Sequence, residues 1–275
     1  MSAIQLMPDF SLSYLTAPKM HPSEALRIAA ATGYKAIGIR ILPAAPGGEY
    51  FPLIENQHEL PGILSTMKET GVSICDLEMI RLNSDFNANQ FKSFFEMGAQ
   101  LKAKHILVAG DDTDPTRLSD SYAQLCEACS PYGLTADLEF MPWTAMKSIK
   151  DAYKIIQGAN NPKNAGIIID SLHFARSDSH ISDIASIPHE LFHYAQICDG
   201  SGTKPHTDAE LISDARTNRL LPKEGGIDLK NIFSNLSPNI PISIEIPNAR
   251  QQQMSPTAWA QLCIEATQKF YQDIL

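Results

Sequence analysis

Residues 165–177 read AGIIIDSLHFARS, and this stretch decides the fold. Gly166-Ile167-Ile168-Ile169 is an apolar run without alternation, the pattern of a strand covered on both faces in a parallel sheet. Asp170 ends the run abruptly, and His173 follows three residues later. A charge that terminates an apolar strand lies where a parallel barrel places its chemistry, at the carboxyl end of the strand. The same grammar recurs elsewhere: DLEF carries Glu139, YAQICDG carries Gln196 and Asp199, and ISIEIPN carries Glu245. We read Glu139, Asp170, Gln196 and Glu245 as strand ends converging on one divalent metal ion.

Outward from that stretch, short apolar strands alternate with longer amphipathic segments, the signature of βα units. Strands are expected at 10–15, 35–41, 72–79, 105–109, 135–140, 166–170, 191–198 and 240–246. Helices are expected from Pro22, over 57–70, 87–101, 115–132 and 143–158, over 181–187 and 229–236, and from Pro256 to the end, with Gly33 and Gly71 as stops for the first two. Eight strands, each followed by a helix, close a (β/α)₈ TIM barrel, so residues 1–275 are read as one barrel domain. An open doubly wound sheet usually announces itself with a glycine-rich first turn, and residues 14–20 contain no glycine. Two long segments stand out as binding loops, 43–52 and 199–227, the second carrying Lys204, His206, Arg216 and Arg219.

A chain of 275 residues with 44% hydrophobic and 19% charged residues is ordinary for a globular protein with a sizeable core. The net charge of -9 argues against nucleic acid, whose affinity rests on lysine and arginine neutralising phosphates. It leaves room for an anionic small substrate, since a local arginine cluster can reverse the field inside one pocket. No apolar run reaches the roughly 20 residues of a membrane span, and the first residues lack the pattern of a secretory signal. Five scattered cysteines fit no disulfide framework, and the Cys126/Cys129 pair lies in a helical stretch without a companion pair. A cytoplasmic location, a small-molecule substrate, and no nucleic-acid or membrane partner are therefore expected. Exposed barrel faces often pair, which keeps a homo-oligomer open.

Three carboxylates and one amide oxygen make a hard, all-oxygen set that suits Mn²⁺ or Mg²⁺ better than zinc. Without a cation the carboxylates would repel one another, and burial would protonate some of them. His173 is placed to hydrogen-bond a substrate oxygen or to move a proton. Arg40, near the end of the second strand, and Arg216 and Arg219, in the long loop, are of the type that holds a carboxylate or phosphate through two hydrogen bonds. His189 and His193 precede the seventh strand end and read as structural.

The spaced set DLEF, IIIDSLHFARS, FHYAQICDG, DARTNRLLPKEGGIDL and ISIEIPN resembles the xylose isomerase-like TIM barrel superfamily. That superfamily includes sugar phosphate isomerases and epimerases, inositol-catabolism proteins, 3-dehydroshikimate dehydratases and an endonuclease group. The resemblance implies a single-metal site at Glu139, Asp170, Gln196 and Glu245, a substrate-contacting histidine at His173 and a loop arginine at Arg216. Many epimerases carry histidine where this chain has Gln196, and dehydratases resemble it there. A PGEG turn of the family reads Pro222-Lys223-Glu224-Gly225.

The expected activity is a divalent-metal-dependent isomerase or epimerase on a small polyhydroxylated carbonyl compound, acting through an enediolate. Glu139 and Glu245 would exchange the proton on opposite faces of the carbon. The alternative is a lyase of the 3-dehydroshikimate dehydratase type, with His173 moving the proton and Arg216 or Arg40 holding the substrate carboxylate. A second alternative is a non-catalytic sugar-binding barrel. An endonuclease would need several metals and many more histidine ligands.

Overall fold

The computed structural model describes residues 7–274. Eight parallel strands, β1 (Phe10–Leu12), β2 (Ala36–Arg40), β3 (Ser73–Leu82), β4 (His105–Gly110), β5 (Thr135–Glu139), β6 (Ala165–Asp170), β7 (Ala195–Ile197) and β8 (Ile242–Ile244), close into a barrel in sequence order. The seam is the β1–β8 pairing, with Phe10, Ser11 and Leu12 opposite Ile242, Ser243 and Ile244. The expected TIM barrel is therefore what the chain forms. Ten helices accompany the strands among the described residues: α1 (Pro22–Thr32), α2 (Leu60–Thr70), α3 (Lys92–Gln100), α4 (Pro115–Cys129), α5 (Ile149–Gly158), α6 (Ser171–Arg176), α7 (Ile181–Ser186), α8 (Asp208–Thr217), α9 (Leu229–Ser234) and α10 (Pro256–Ile274).

Local chemistry sets many boundaries. Gly33 and Gly71 end α1 and α2 at φ 94° and 72°, a left-handed turn that glycine adopts without a Cβ penalty. Asp114 caps α4, accepting from the N–H groups of Thr116 and Arg117. Ser148 and Asp151 form a reciprocal capping box that starts α5. The main core lies between barrel and helices, where Leu26 and Ala29 of α1 and Trp259 and Ile264 of α10 are fully buried. A second apolar cluster, including Cys75, Leu107, Met141, Ile168 and Tyr194, fills part of the barrel interior. All five cysteines are buried and free, so Cys126 and Cys129 are ordinary residues of α4.

Several expected elements are shorter than the sequence suggests. β1 stops at Leu12 because the Ser13 side chain accepts from Leu15 N–H and opens a 3₁₀ turn over Tyr14–Thr16. β7 begins at Ala195, after the 3₁₀ turn His189–Leu191, since only Ala195–Ile197 finds partners on β6 or β8. The helix expected from Trp143 begins at Ile149. Thr144 bridges the carbonyls of Met141 and Met146 at 2.9 Å each and holds the preceding residues in a loop. The expected loop 199–227 contains α8, announced by the Thr207/Glu210 capping box. None of the helices is long and apolar enough to cross a membrane, among the described residues.

Candidate active site

The closed strand order places Glu139, Asp170 and Glu245 at one end of the barrel. Asp170 is the last residue of β6 and, as N-cap of α6, accepts from His173 N–H at 2.8 Å through Oδ1. That cap turns His173 inward: its Nε2 lies 3.8 Å from Glu139 Oε1, and its ring meets Trp143 edge-on at 5.1 Å. Gln196 is in register with Asp170 across β6 and β7. Glu245 follows β8 directly, its N–H donating to Ile197 O at 3.1 Å. All five side chains are buried.

Arg219 completes the cluster, although sequence reasoning ranks it no higher than Arg216. It is 2% exposed, with Nη1 at 2.5 Å from Asp170 Oδ2 and 3.8 Å from Glu245 Oε2, and Nη2 at 3.4 Å from His173 Nε2. Its Nε donates to Ala215 O at the end of α8, and its carbonyl accepts from Asn248 Nδ2. Only tertiary pairing distinguishes it from Arg216, which is exposed on the rim. Arg40 is half-buried, bonded to Glu78 at 2.5 Å, with its guanidinium 4.6 Å from the centre of the Tyr14 ring. Glu78 is itself buried, so β3 adds a carboxyl group that the sequence reading noted only as facing the same side as Asp76. Trp143 is a further residue the reading missed. The Ser148-x-x-Asp151 box, which moves the helix start past it, was the available signal.

Above these residues opens a cavity of about 330 Å³, lined by Glu78, Glu139, Glu245, His173, Trp143 and four arginines, Arg40, Arg81, Arg216 and Arg219. Its size suits a small molecule. The loop 43–52 contributes Ala44, Ala45, Gly48 and Glu49, as expected of a binding loop. Asp199 lies beyond the strand end and does structural work. It accepts backbone N–H bonds from Lys223, Gly225 and Ile227 at 3.0 Å each, which holds the 222–225 turn with Lys223 at φ 76°.

Burial dominates the electrostatics. It pushes Glu139 well above the usual carboxylate range, assisted by the Glu245 and Asp170 charges, and lifts Glu245 to about 8. The same burial acts on Asp170, but Arg219 and His173 outweigh it and hold that carboxyl low. Burial drives His173 down to about 4, so the imidazole is neutral at pH 7. Buried Gln196 Oε1, Glu245 Oε2 and Glu78 Oε1 have no hydrogen-bond partner among the described residues. Four carboxyl groups (Glu78, Glu139, Asp170, Glu245) face two guanidinium groups (Arg40, Arg219) in this space. Partnerless buried oxygens and an excess of carboxyl groups are what a divalent cation would satisfy, and the donors fit such an ion. Glu139, Asp170 and His173 also offer ligand atoms within 4.8 Å of one another.

Comparison with known proteins agrees with the barrel fold. A 3-dehydroshikimate dehydratase of Pseudomonas aeruginosa is 27% identical over 179 residues, which are 63% of this chain and 27% of the relative's length. The chain thus matches about a quarter of that relative. The solved structure of IolI protein with a bound zinc atom superposes with a TM-score of 0.82 at 19% identity, covering 97% of this chain and 99% of that one. A D-allulose 3-epimerase from Methylomonas sp. superposes at 0.69 with 13% identity, covering 96% and 98%. At these identities the two structures establish the fold alone. The D-allulose 3-epimerase thus shares this barrel, and the IolI structure carries a bound zinc atom. The profile of the xylose isomerase-like TIM barrel family matches residues 26–268, and the chain belongs to that family.

Proposed function

We propose that this protein is a divalent-metal-dependent lyase that removes water from a cyclic β-hydroxy keto acid of the 3-dehydroshikimate class. One observation carries the reading. Of the four arginines lining the cavity, Arg40 pairs with Glu78, Arg81 with Asp111 and Arg219 with Asp170, while Arg216 has no acidic partner among the described residues. A free guanidinium at the rim suits a substrate carboxylate and has no evident task toward a neutral sugar. This puts the dehydratase ahead of the isomerase or epimerase expected from the sequence. The Pseudomonas relative supports the same order.

Glu139, Asp170, Gln196 and Glu245 would hold the metal, Mn²⁺ or Mg²⁺ by their oxygen character. Held there, a divalent ion would supply Lewis acidity to a bound carbonyl and so acidify the neighbouring C–H. The chain's own residues do the rest. Arg219 Nη2 lies 3.4 Å from His173 Nε2, which assigns the ring proton to Nδ1, and the single Nε2 lone pair is free to act as base once substrate displaces that long contact. Neutral His173 takes the proton from the carbon next to the carbonyl and returns it to the hydroxyl leaving the adjacent carbon. One C–H and one C–O bond break, a C=C bond forms, and water departs. Arg216 orients the acid, with Arg40 held beside it by Glu78, and Trp143 covers His173 against bulk water.

The epimerase reading keeps one specific support: Glu139 and Glu245 face the cavity from β5 and β8 and could serve two faces of one carbon. Turnover of 3-dehydroshikimate with Mn²⁺, Mg²⁺ or Zn²⁺, followed by ultraviolet absorbance of the aromatic product, separates the two. Metal-dependent turnover is expected, falling by about 10²–10³ in Glu139→Gln. No turnover by protein with metal demonstrably bound, together with conversion of a ketose, would replace this proposal with the epimerase.

A further inference from the structure

At the opposite, amino-terminal end of the barrel, three side chains meet that the chemistry above does not use. His105 is the first residue of β4, Asp137 the third of β5, and His193 lies just before β7. Both imidazoles direct Nδ1 at one carboxylate: His193 Nδ1 is 2.7 Å from Asp137 Oδ1, and His105 Nδ1 is 3.5 Å from Asp137 Oδ2. The Thr135 hydroxyl adds a fourth donor atom, 2.8 Å from His105 Nδ1 and hydrogen-bonded to Asp137 Oδ2. The three ligand atoms lie within 4.8 Å of one another. In a tetrahedral zinc site with bonds of roughly 2.0–2.2 Å, neighbouring ligand atoms stand roughly 3.4 Å apart; the His105–Asp137 pair at 3.5 Å already has that spacing, and the His193–Asp137 pair, hydrogen-bonded at 2.7 Å, would open to reach it when an ion replaces the shared proton.

From these contacts we propose that His105, Asp137 and His193 form a second metal site, selective for zinc or a similar borderline ion. Two imidazoles and one carboxylate form a three-ligand set that leaves a fourth position for Thr135 or water. The rings are held in place without an ion. His105 stacks on Tyr194 at 5.0 Å and on His193 at 5.7 Å, with interplanar angles of 25° and 16°. Asp137 is fully buried, whereas the His193 side chain is 21% exposed and gives the site a route to solvent. Opposite them on β6 is Gly166, where any Cβ would overlap Asp137 Oδ1 and crowd His193 Nδ1. Neither Nε2 is hydrogen-bonded among the described residues, so coordination through Nδ1 displaces no other protein contact of the rings. The two ends of the barrel would therefore differ in metal preference, oxygen-only above and nitrogen-rich below.

The test is metal stoichiometry and the Co²⁺ spectrum of the full chain. With excess Mn²⁺ present to fill the upper site, wild type is expected to bind one Zn²⁺ per chain. Asp170→Asn is expected to keep it, and His193→Gln to lose it. In Asp170→Asn loaded with Co²⁺, the intense visible bands of four-coordinate cobalt should appear, and adding His193→Gln should abolish them. If Asp170→Asn binds no zinc, or its cobalt spectrum survives the second substitution, the His105–Asp137–His193 cluster is a hydrogen-bonded brace and the proposal is overturned. Should the double variant fail to fold by circular dichroism, the zinc content of His193→Gln beside wild type in excess Mn²⁺ decides, and equal contents would overturn the proposal. This outcome does not depend on the substrate assigned to the other end.

Discussion

Arg216 and Arg219 are three residues apart and have the same chemistry, yet they meet opposite environments. Arg219 is enclosed, tied to Asp170 and to the Ala215 carbonyl, and supplies positive charge to a crowded set of carboxyl groups. Arg216 stands exposed at the rim of the cavity. A charge-assisted hydrogen bond contributes about 1.5–3 kcal/mol, so Arg216→Ala should raise KM for an anionic substrate about 10- to 150-fold. Because the side chain holds substrate and transition state alike, kcat should stay nearly constant. Steady-state kinetics check both numbers, and an unchanged KM would remove Arg216 from substrate binding. His173 shows the same dependence on context. Its spacing after Asp170 was legible as a turn away from the strand end, and its neutrality follows from burial that only the folded barrel supplies.

At the scale of elements, the site depends on how closely neighbouring strands approach inside the barrel. Gly38 of β2 faces Asp76 of β3, and a Cβ at Gly38 would lie 2.9 Å from both carboxylate oxygens. Asp76 is 1% exposed and cannot retreat into solvent. Gly38→Ala should therefore cost about 1–3 kcal/mol by overpacking, read as a lowered denaturation midpoint with an unchanged slope. A neutral result would mean that β2 and β3 can separate locally where their register shifts between Ile37 and Gly38. The helix after β6 illustrates a second economy of the fold. The Asp170 carboxylate caps α6 through one oxygen and meets Arg219 through the other, so one side chain ends a strand, starts a helix and fixes the charge balance of the cavity.

For the whole molecule, the carboxyl cluster links stability to pH. Glu245, with an ordinary value of 4.5, stands at about 8 in the fold, and Glu139 is raised as well. Groups raised in this way add stability that is complete below their unfolded values and is lost as pH rises through the folded ones. His173, lowered from 6.5 to about 4, works in the other direction, and its contribution is complete above 6.5. Between pH 6.5 and 8, metal-stripped protein should therefore lose thermal stability, by roughly 2–4 °C for each kcal/mol lost. Saturating Mn²⁺ or Mg²⁺ should reverse the trend, since cation binding favours the ionised carboxylates. Thermal melts across this range, with chelator and with metal, check the sign. A flat profile in chelator would show that these carboxyl groups are already relieved of one another's charge.

The sequence by itself determined the barrel. Eight apolar strands spaced by helical segments leave a parallel sheet few ways to cover both faces, and a charge at the end of each of several strands marks the rim. It also named Glu139, Asp170, His173, Gln196 and Glu245, because in strands buried on both sides a polar residue at the carboxyl end is a conspicuous departure. Only the tertiary structure decided which arginine is buried, that Glu78 and Trp143 line the cavity, that α8 lies inside the long loop, and that His105, Asp137 and His193 meet below. These groups come from segments far apart in the chain. Their environments follow from barrel closure and strand register, which no local pattern encodes.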